Sequence, residues 1–153
     1  MALIKWTGAA LALTLAAGAA QAQLSFKNDD DAVEYRKGTF NVMSKHFARL
    51  GAMANGKMPF NAAVAQADAD VVATLSQLPW QAFGESTKNA GNTKAKPEVW
   101  SEWAKFKAGG DKLEEEAKKL QAAAKTGNLD NVKAAFGAAA QTCKACHDSY
   151  KNK

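Results

Sequence analysis

Cys143-Lys144-Ala145-Cys146-His147 holds both cysteines of the chain and one of its two histidines. The two thiols are spaced to form thioether bonds to the two vinyl groups of one haem, and the adjoining imidazole falls beneath the iron as an axial ligand. Two other chemistries use a C-x-x-C pair. A redox dithiol belongs at the start of a helix in a βαβ unit, and a zinc site needs two further ligands, for which the chain offers one other histidine and no other cysteine. A structural or dithiol protein without haem is the reading that colourless purified material would expose. The residues point instead to one covalently attached haem c, anchored by Cys143 and Cys146, with His147 as the metal ligand.

Haem attachment of this type takes place outside the bacterial cytoplasm, and the N-terminus agrees with export. Residues 1–22 carry an early positive charge at Lys5, the apolar run Leu11-Ala12-Leu13-Thr14-Leu15-Ala16-Ala17, and the ending Ala20-Gln21-Ala22. That is the pattern of a secretory signal peptide with an A-x-A cleavage site. The apolar run is too short to span a bilayer, which takes about 20 apolar residues. The expectation is a periplasmic chain of residues 23–153, forming one domain, with no stable membrane insertion. The formal net charge is +5, and removing Lys5 lowers it by one. The lysines are spread among acids rather than gathered into a stripe, which argues against nucleic acid as a partner.

Four helices must position the haem motif. The first follows Asp29-Asp30-Asp31, which suits a helix N-terminus, and runs to about Ala54 with Ala32, Val33, Phe40, Met43, Phe47 and Leu50 on one face. The second starts near Phe60 and carries Ala63, Val64, Ala67, Val71, Leu75 and Leu78 up to Pro79. Residues 84–96 are polar, glycine-containing and without apolar period, so they read as an exposed loop and as the segment most prone to disorder. Pro97 opens a third helix, interrupted at Gly109-Gly110 and continued through Ala124. The last runs from about Leu129 and bears Val132, Phe136, Ala139, Ala140 and Cys143 on the side of the haem motif. No segment calls for a strand, so the fold class is all-α, an antiparallel four-helix bundle whose core the haem completes.

Asp31-Ala32-Val33-Glu34-Tyr35-Arg36 followed by Met43-Ser44-Lys45-His46-Phe47, then Leu78-Pro79-Trp80 with Phe83-Gly84, and finally Ala134-Ala135-Phe136-Gly137 before the C-terminal C-x-x-C-H, together resemble the cytochromes c′, the high-spin members of the class II c-type cytochromes. The resemblance spans essentially all of the chain after the signal segment. It implies a haem within the bundle, tied to the last helix, with its far face against the first. Phe40 then stands where low-spin relatives place a ligating methionine. Phenylalanine has no lone pair, so the resemblance implies iron held by His147 alone with a ring over the vacant sixth position. It also implies that Arg36 pairs with a haem propionate, a pairing in which a guanidinium makes two parallel hydrogen bonds. Lys151, four residues beyond His147, falls near the proximal face where relatives often carry arginine, and Trp80 packs at the haem edge or in plain core.

Two rival ligands stand near Phe40. Met43 is about 60° round the helix from it and reads as packing, while His46 is about 240° round and reads as a surface or interface residue. An apolar, crowded site favours nitric oxide over dioxygen, because bound dioxygen needs a hydrogen-bond donor, and the Phe40 ring hinders carbon monoxide. Nitric oxide also weakens the bond opposite it, so release of His147, with Lys151 close by, belongs to the same expectation. The function expected is gas binding rather than enzyme turnover, with electron exchange with redox partner proteins as a further role, and the resemblance implies a homodimer through the first two helices. The alternative is a low-spin electron carrier using Met43 or another sixth ligand.

Overall fold

The computed structural model describes residues 24–152, so the signal segment expected over residues 1–22 lies outside the described residues. Helix α1, Asp29–Ala54, starts where the side chain of Asn28 accepts the Asp31 N–H at 2.9 Å, with three aspartates in the first turn facing the positive end of the helix dipole. It ends at Asn55-Gly56, where Gly56 takes φ +70° and turns the chain.

Helix α2, Ala62–Leu75, is capped by Asn61, whose side chain accepts the Val64 N–H at 3.0 Å. It begins two residues later than the pattern suggests and stops before Pro79 is reached. The Trp80 indole donates to the Ser76 carbonyl at 2.8 Å, and Gln77 donates to that of Ala73 at 3.0 Å, so side chains take over the last carbonyls. A 3₁₀ turn over Pro79–Ala82 follows.

The third helical segment breaks at an unexpected place. A single turn, α3, Glu98–Ser101, is separated from α4, Trp103–Lys125, by Glu102 at φ −118° and ψ 35°. Gly109-Gly110, expected to interrupt the helix, lies within α4. The reason for Gly110 is packing: a β-carbon there would stand 3.0 Å from Cζ2 of Trp80. Helix α5, Leu129–Tyr150, is capped by Asn128, which accepts from the N–H groups of Asp130 and Asn131, after Gly127 at φ +65° ends the preceding turn.

The four long helices form a bundle in which α1 packs on α2 and α5, and α4 packs on α2 and α5. The core runs through Leu50, Met53, Val72, Val99, Leu120 and Val132, all nearly inaccessible. There is no strand among the described residues; one antiparallel bridge, Ala95 with Lys151, ties the C-terminus to the long loop.

That loop is organised, contrary to its reading as the segment most prone to disorder. Glu85–Asn89 makes a 3₁₀ turn, Thr87 is 3% exposed, and the segment closes on Arg36 of α1. A polar sequence hid this order because its partners lie far away in the chain, Asp29 and Arg36 on α1 and the segment from Tyr150 to Asn152 at the other end.

Candidate haem site

Along α5 the inward residues recur at spacings of three and four: Val132, Phe136, Ala139, Cys143, Cys146 and Tyr150. Val132 and Ala139 are buried, whereas Phe136, Cys143, Cys146 and Tyr150 are half-buried against the core. Loss of hydration raises the pKa of both thiols, with the neighbouring Cys143 adding to the effect at Cys146. Both are therefore disfavoured as thiolates at neutral pH, and they stand one turn apart on the inward stripe of the helix. His147 follows on the exposed flank of this face. Its pKa is lowered, first by partial desolvation and then by the positive charge of Lys151, while Asp148 opposes the shift. A neutral imidazole keeps the lone pair that a metal requires.

Lys151 itself is not on the helix. The expected helical register from His147 ends at Tyr150, because Lys151 turns extended at ψ 131° and its segment pairs with the loop. The Lys96 N–H donates to the Tyr150 carbonyl at 2.9 Å and the Asn152 N–H to that of Lys94 at 2.8 Å. The Lys151 side chain is exposed, and its charge is still felt at His147.

Across the bundle, Phe40 is half-buried on α1. Its ring meets Trp80 edge-on at 6.0 Å and Phe83 at 6.5 Å, so its surroundings are aromatic. Trp80 is 7% exposed, stacks on Phe83 at 6.4 Å and lies over Gly110, which makes it a core residue adjoining Phe40. Met43 is buried in the core. His46 faces α2, where its Nδ1 lies 2.7 Å from Oδ1 of Asp68. Arg49 Nε donates to the other carboxylate oxygen at 2.6 Å. Burial alone would raise the pKa of Asp68, yet these partners lower it on balance. This knot was missed in the sequence, although an acid at Asp68 among the buried Ala65, Ala69 and Val72 signals a need for a partner.

Arg36 is the second residue whose role the sequence did not disclose in full. It is 3% exposed, and its guanidinium donates to the Ala82 carbonyl at 2.7 Å, to Thr87 Oγ1 at 2.8 Å and to Thr93 Oγ1 at 2.7 Å. It also lies 4.3 Å from the centre of the Phe83 ring. Every one of these partners is neutral, and no carboxylate within ion-pair distance meets it among the described residues. Burial lowers its pKa from the ordinary 12.5 to about 10.

A family model described as Cytochrome C' matches residues 31–151. This chain belongs to the cytochrome c′ family. A cytochrome c′ of Rubrivivax gelatinosus is 48% identical over 128 residues, which cover 84% of this chain and 99% of that one. The crystal structure of the Rubrivivax gelatinosus cytochrome c′ superposes with a TM-score of 0.81 at 47% identity, covering 84% of this chain and all of that chain. A nitric oxide complex of a leucine-to-isoleucine variant of the Alcaligenes xylosoxidans protein superposes with a TM-score of 0.78 at 42% identity, over 84% of this chain and 100% of that one. The cofactor of this chain is accordingly one covalently attached haem c.

The residues present fit that group. Buried charges are as a rule paired, and Arg36 is a buried cation lacking an anion, which a propionate would supply. The inward face of α5 at Cys143, Cys146 and Tyr150, and the ring of Phe40 opposite, are apolar but only half covered, as suits residues that a flat apolar ring must complete.

Proposed function

We propose that this chain is a periplasmic cytochrome c′ that binds nitric oxide at a haem iron ligated by His147 alone, with Cys143 and Cys146 as the covalent anchors. The observation that carries the reading is Phe40: the α1 residue that the resemblance sets toward the haem has no lone pair, and its neighbours Trp80 and Phe83 are aromatic. When bound, the haem supplies an iron able to hold a diatomic ligand. Phe40 excludes water and bulk from the sixth position and offers no hydrogen bond to bound dioxygen, which leaves nitric oxide favoured and carbon monoxide hindered. The nitric oxide complexes solved for the Alcaligenes xylosoxidans relative support this choice of gas.

Arg36 holds the propionate side. Two of its five N–H groups serve the loop and one the Ala82 carbonyl, so two remain for a carboxylate. Lys151 sets the charge at the proximal face, where release of His147 under nitric oxide would be felt. Trp80 supports Phe40 from behind. The chain exchanges electrons with a redox partner rather than turning over a substrate, is exported by residues 1–22, and pairs with a second copy. No described helix is long and apolar enough to cross a membrane.

Visible spectra of ferric and ferrous protein before and after nitric oxide test the reading. Broad high-spin bands that change with the gas are expected; sharp split bands unmoved by it would make the chain a low-spin carrier. Substituting Phe40→Ala should accelerate carbon monoxide binding about tenfold or more, by removing a steric cost of about 1.4 kcal/mol. An unchanged rate would remove Phe40 from the distal site.

A further inference from the structure

The side of α4 next to the haem motif carries a row of aromatic rings that gas binding does not use. Tyr150 lies four residues beyond Cys146, on the same face of α5, and its ring meets Phe106 edge-on at 5.3 Å. Phe106 is 3% exposed and lies 5.7 Å from the ring of Trp103. Trp103 is 42% exposed, whereas Trp80 and Trp100 are buried at 7% and 8%. Phe106 also touches Trp80 at 5.8 Å and Phe83 at 4.9 Å, but that branch leads on to the half-buried benzene ring of Phe40 rather than to an exposed indole. The row therefore runs from the haem-bearing face to solvent through one exposed indole.

Its two ends have the right chemistry and its middle does not interfere. Phenol and indole are readily oxidised by one electron, while a benzene ring is not, so Phe106 bridges two redox-active groups without storing charge. An oxidised phenol is a strong acid and needs a base at its oxygen. Glu102 provides one: its Oε2 is 3.5 Å from the Tyr150 hydroxyl, and Lys105 holds its other oxygen at 2.8 Å. That ion pair keeps the carboxylate ionised.

We propose that Tyr150, Phe106 and Trp103 form an electron route from the surface to the haem, through which the chain survives oxidation by hydrogen peroxide. This rests on attachment of the haem at Cys143 and Cys146, and not on the nitric oxide reading. Hydrogen peroxide would take two electrons at the haem site and two protons from solvent to become two waters, and the donor in solution releases as many protons as it gives electrons. For each electron returned, the Tyr150 hydroxyl gives an electron to the haem and its proton to Glu102, leaving a neutral phenoxyl. Trp103 then gives an electron across Phe106 as the proton returns from Glu102, restoring the phenol. A one-electron donor in solution, of the ascorbate class, finally reduces the indole at the surface.

The test uses haem-loaded full chain, its loading checked by the visible spectrum, mixed with hydrogen peroxide and divided between freeze-quenched electron paramagnetic resonance and mass spectrometry of the digested protein. The parent should give an organic radical signal and oxygen addition at Trp103, both suppressed by ascorbate. Tyr150→Phe should lower Trp103 oxidation at least fivefold and bleach the haem faster. Trp103→Phe should leave a longer-lived tyrosyl signal, and Glu102→Gln should delay its appearance. If Tyr150→Phe loads haem poorly, the Trp103 and Glu102 variants carry the test alone. Equal Trp103 oxidation with and without the Tyr150 hydroxyl, oxidation centred on Trp80, or no protein radical in the loaded parent would overturn the route.

Discussion

The two halves of α5 are built from the same pattern and end up in different environments. In the first half, Phe136 stacks on Phe47 of α1 at 4.5 Å, and the approach is so close that a β-carbon on Gly51 would stand 2.7 Å from the ring. In the second half, Cys143, Cys146 and Tyr150 continue the same inward stripe, half-buried as Phe136 is, but the ring contact there is between Tyr150 and Phe106 of α4 rather than a ring of α1. Helix α1 differs in the same sense, with Gly51 buried opposite Phe136 while Phe40 is only partly covered. One end of the bundle is closed by side chains of the chain itself. The other keeps half-buried apolar surface at Phe40 and Tyr150 and a buried cation, Arg36, that meets no carboxylate among the described residues.

The contrast breaks most completely if the thiols are removed. Replacing both Cys143 and Cys146 by alanine should abolish covalent haem, read as loss of haem staining on a denaturing gel; retained staining would sink the attachment. Arg36→Leu should come next. It removes the donor from two buried oxygen acceptors and one part-buried one and loosens the loop over residues 84–96, for an expected loss of about 3 kcal/mol by denaturant unfolding. Fast amide exchange confined to that loop is the accompanying signature.

The closed end is tested by Gly51→Ala, which pushes a methyl group into the Phe136 ring. Overpacking of this kind should cost about 2 kcal/mol while haem content stays normal, and Phe136→Leu in the same chain should recover most of it. Additive losses in the double variant would show that the two residues do not meet.

The smallest effect concerns acid. Asp68 has a folded pKa below its unfolded value, so its stabilising contribution is present above the unfolded pKa near 4 and is lost as pH falls through the folded one. Asp68→Asn should therefore flatten the fall in unfolding midpoint below about pH 4, with little change in its slope near pH 7. An undiminished acid limb would assign it to other carboxylates, of which Glu115, brought down to about 2 chiefly by its hydrogen bond to Lys119 and then Lys112, is one.

Much of the fold was legible because its signals are local. Asparagine, aspartate and glycine punctuate the helices, and spacings of three and four mark the faces of α1 and α5. The misread positions share one cause, a partner far away in the chain. Gly110 looked like a helix breaker and is a seat for Trp80. The loop over residues 84–96 looked loose and is held by Arg36, and Asp68 was passed over although it gathers His46 and Arg49.

The sequence by itself determined the haem motif, the class of fold and the absence of a ligating atom at Phe40, since each depends on residue type and short-range spacing. Only the tertiary structure decided that Arg36 is a buried cation without an anion, that Lys151 leaves the helix to pair with the loop, and that one exposed indole lies in line with Tyr150. Those facts depend on which helices touch and at what depth, and depth is a property of the packed chain rather than of any stretch of it.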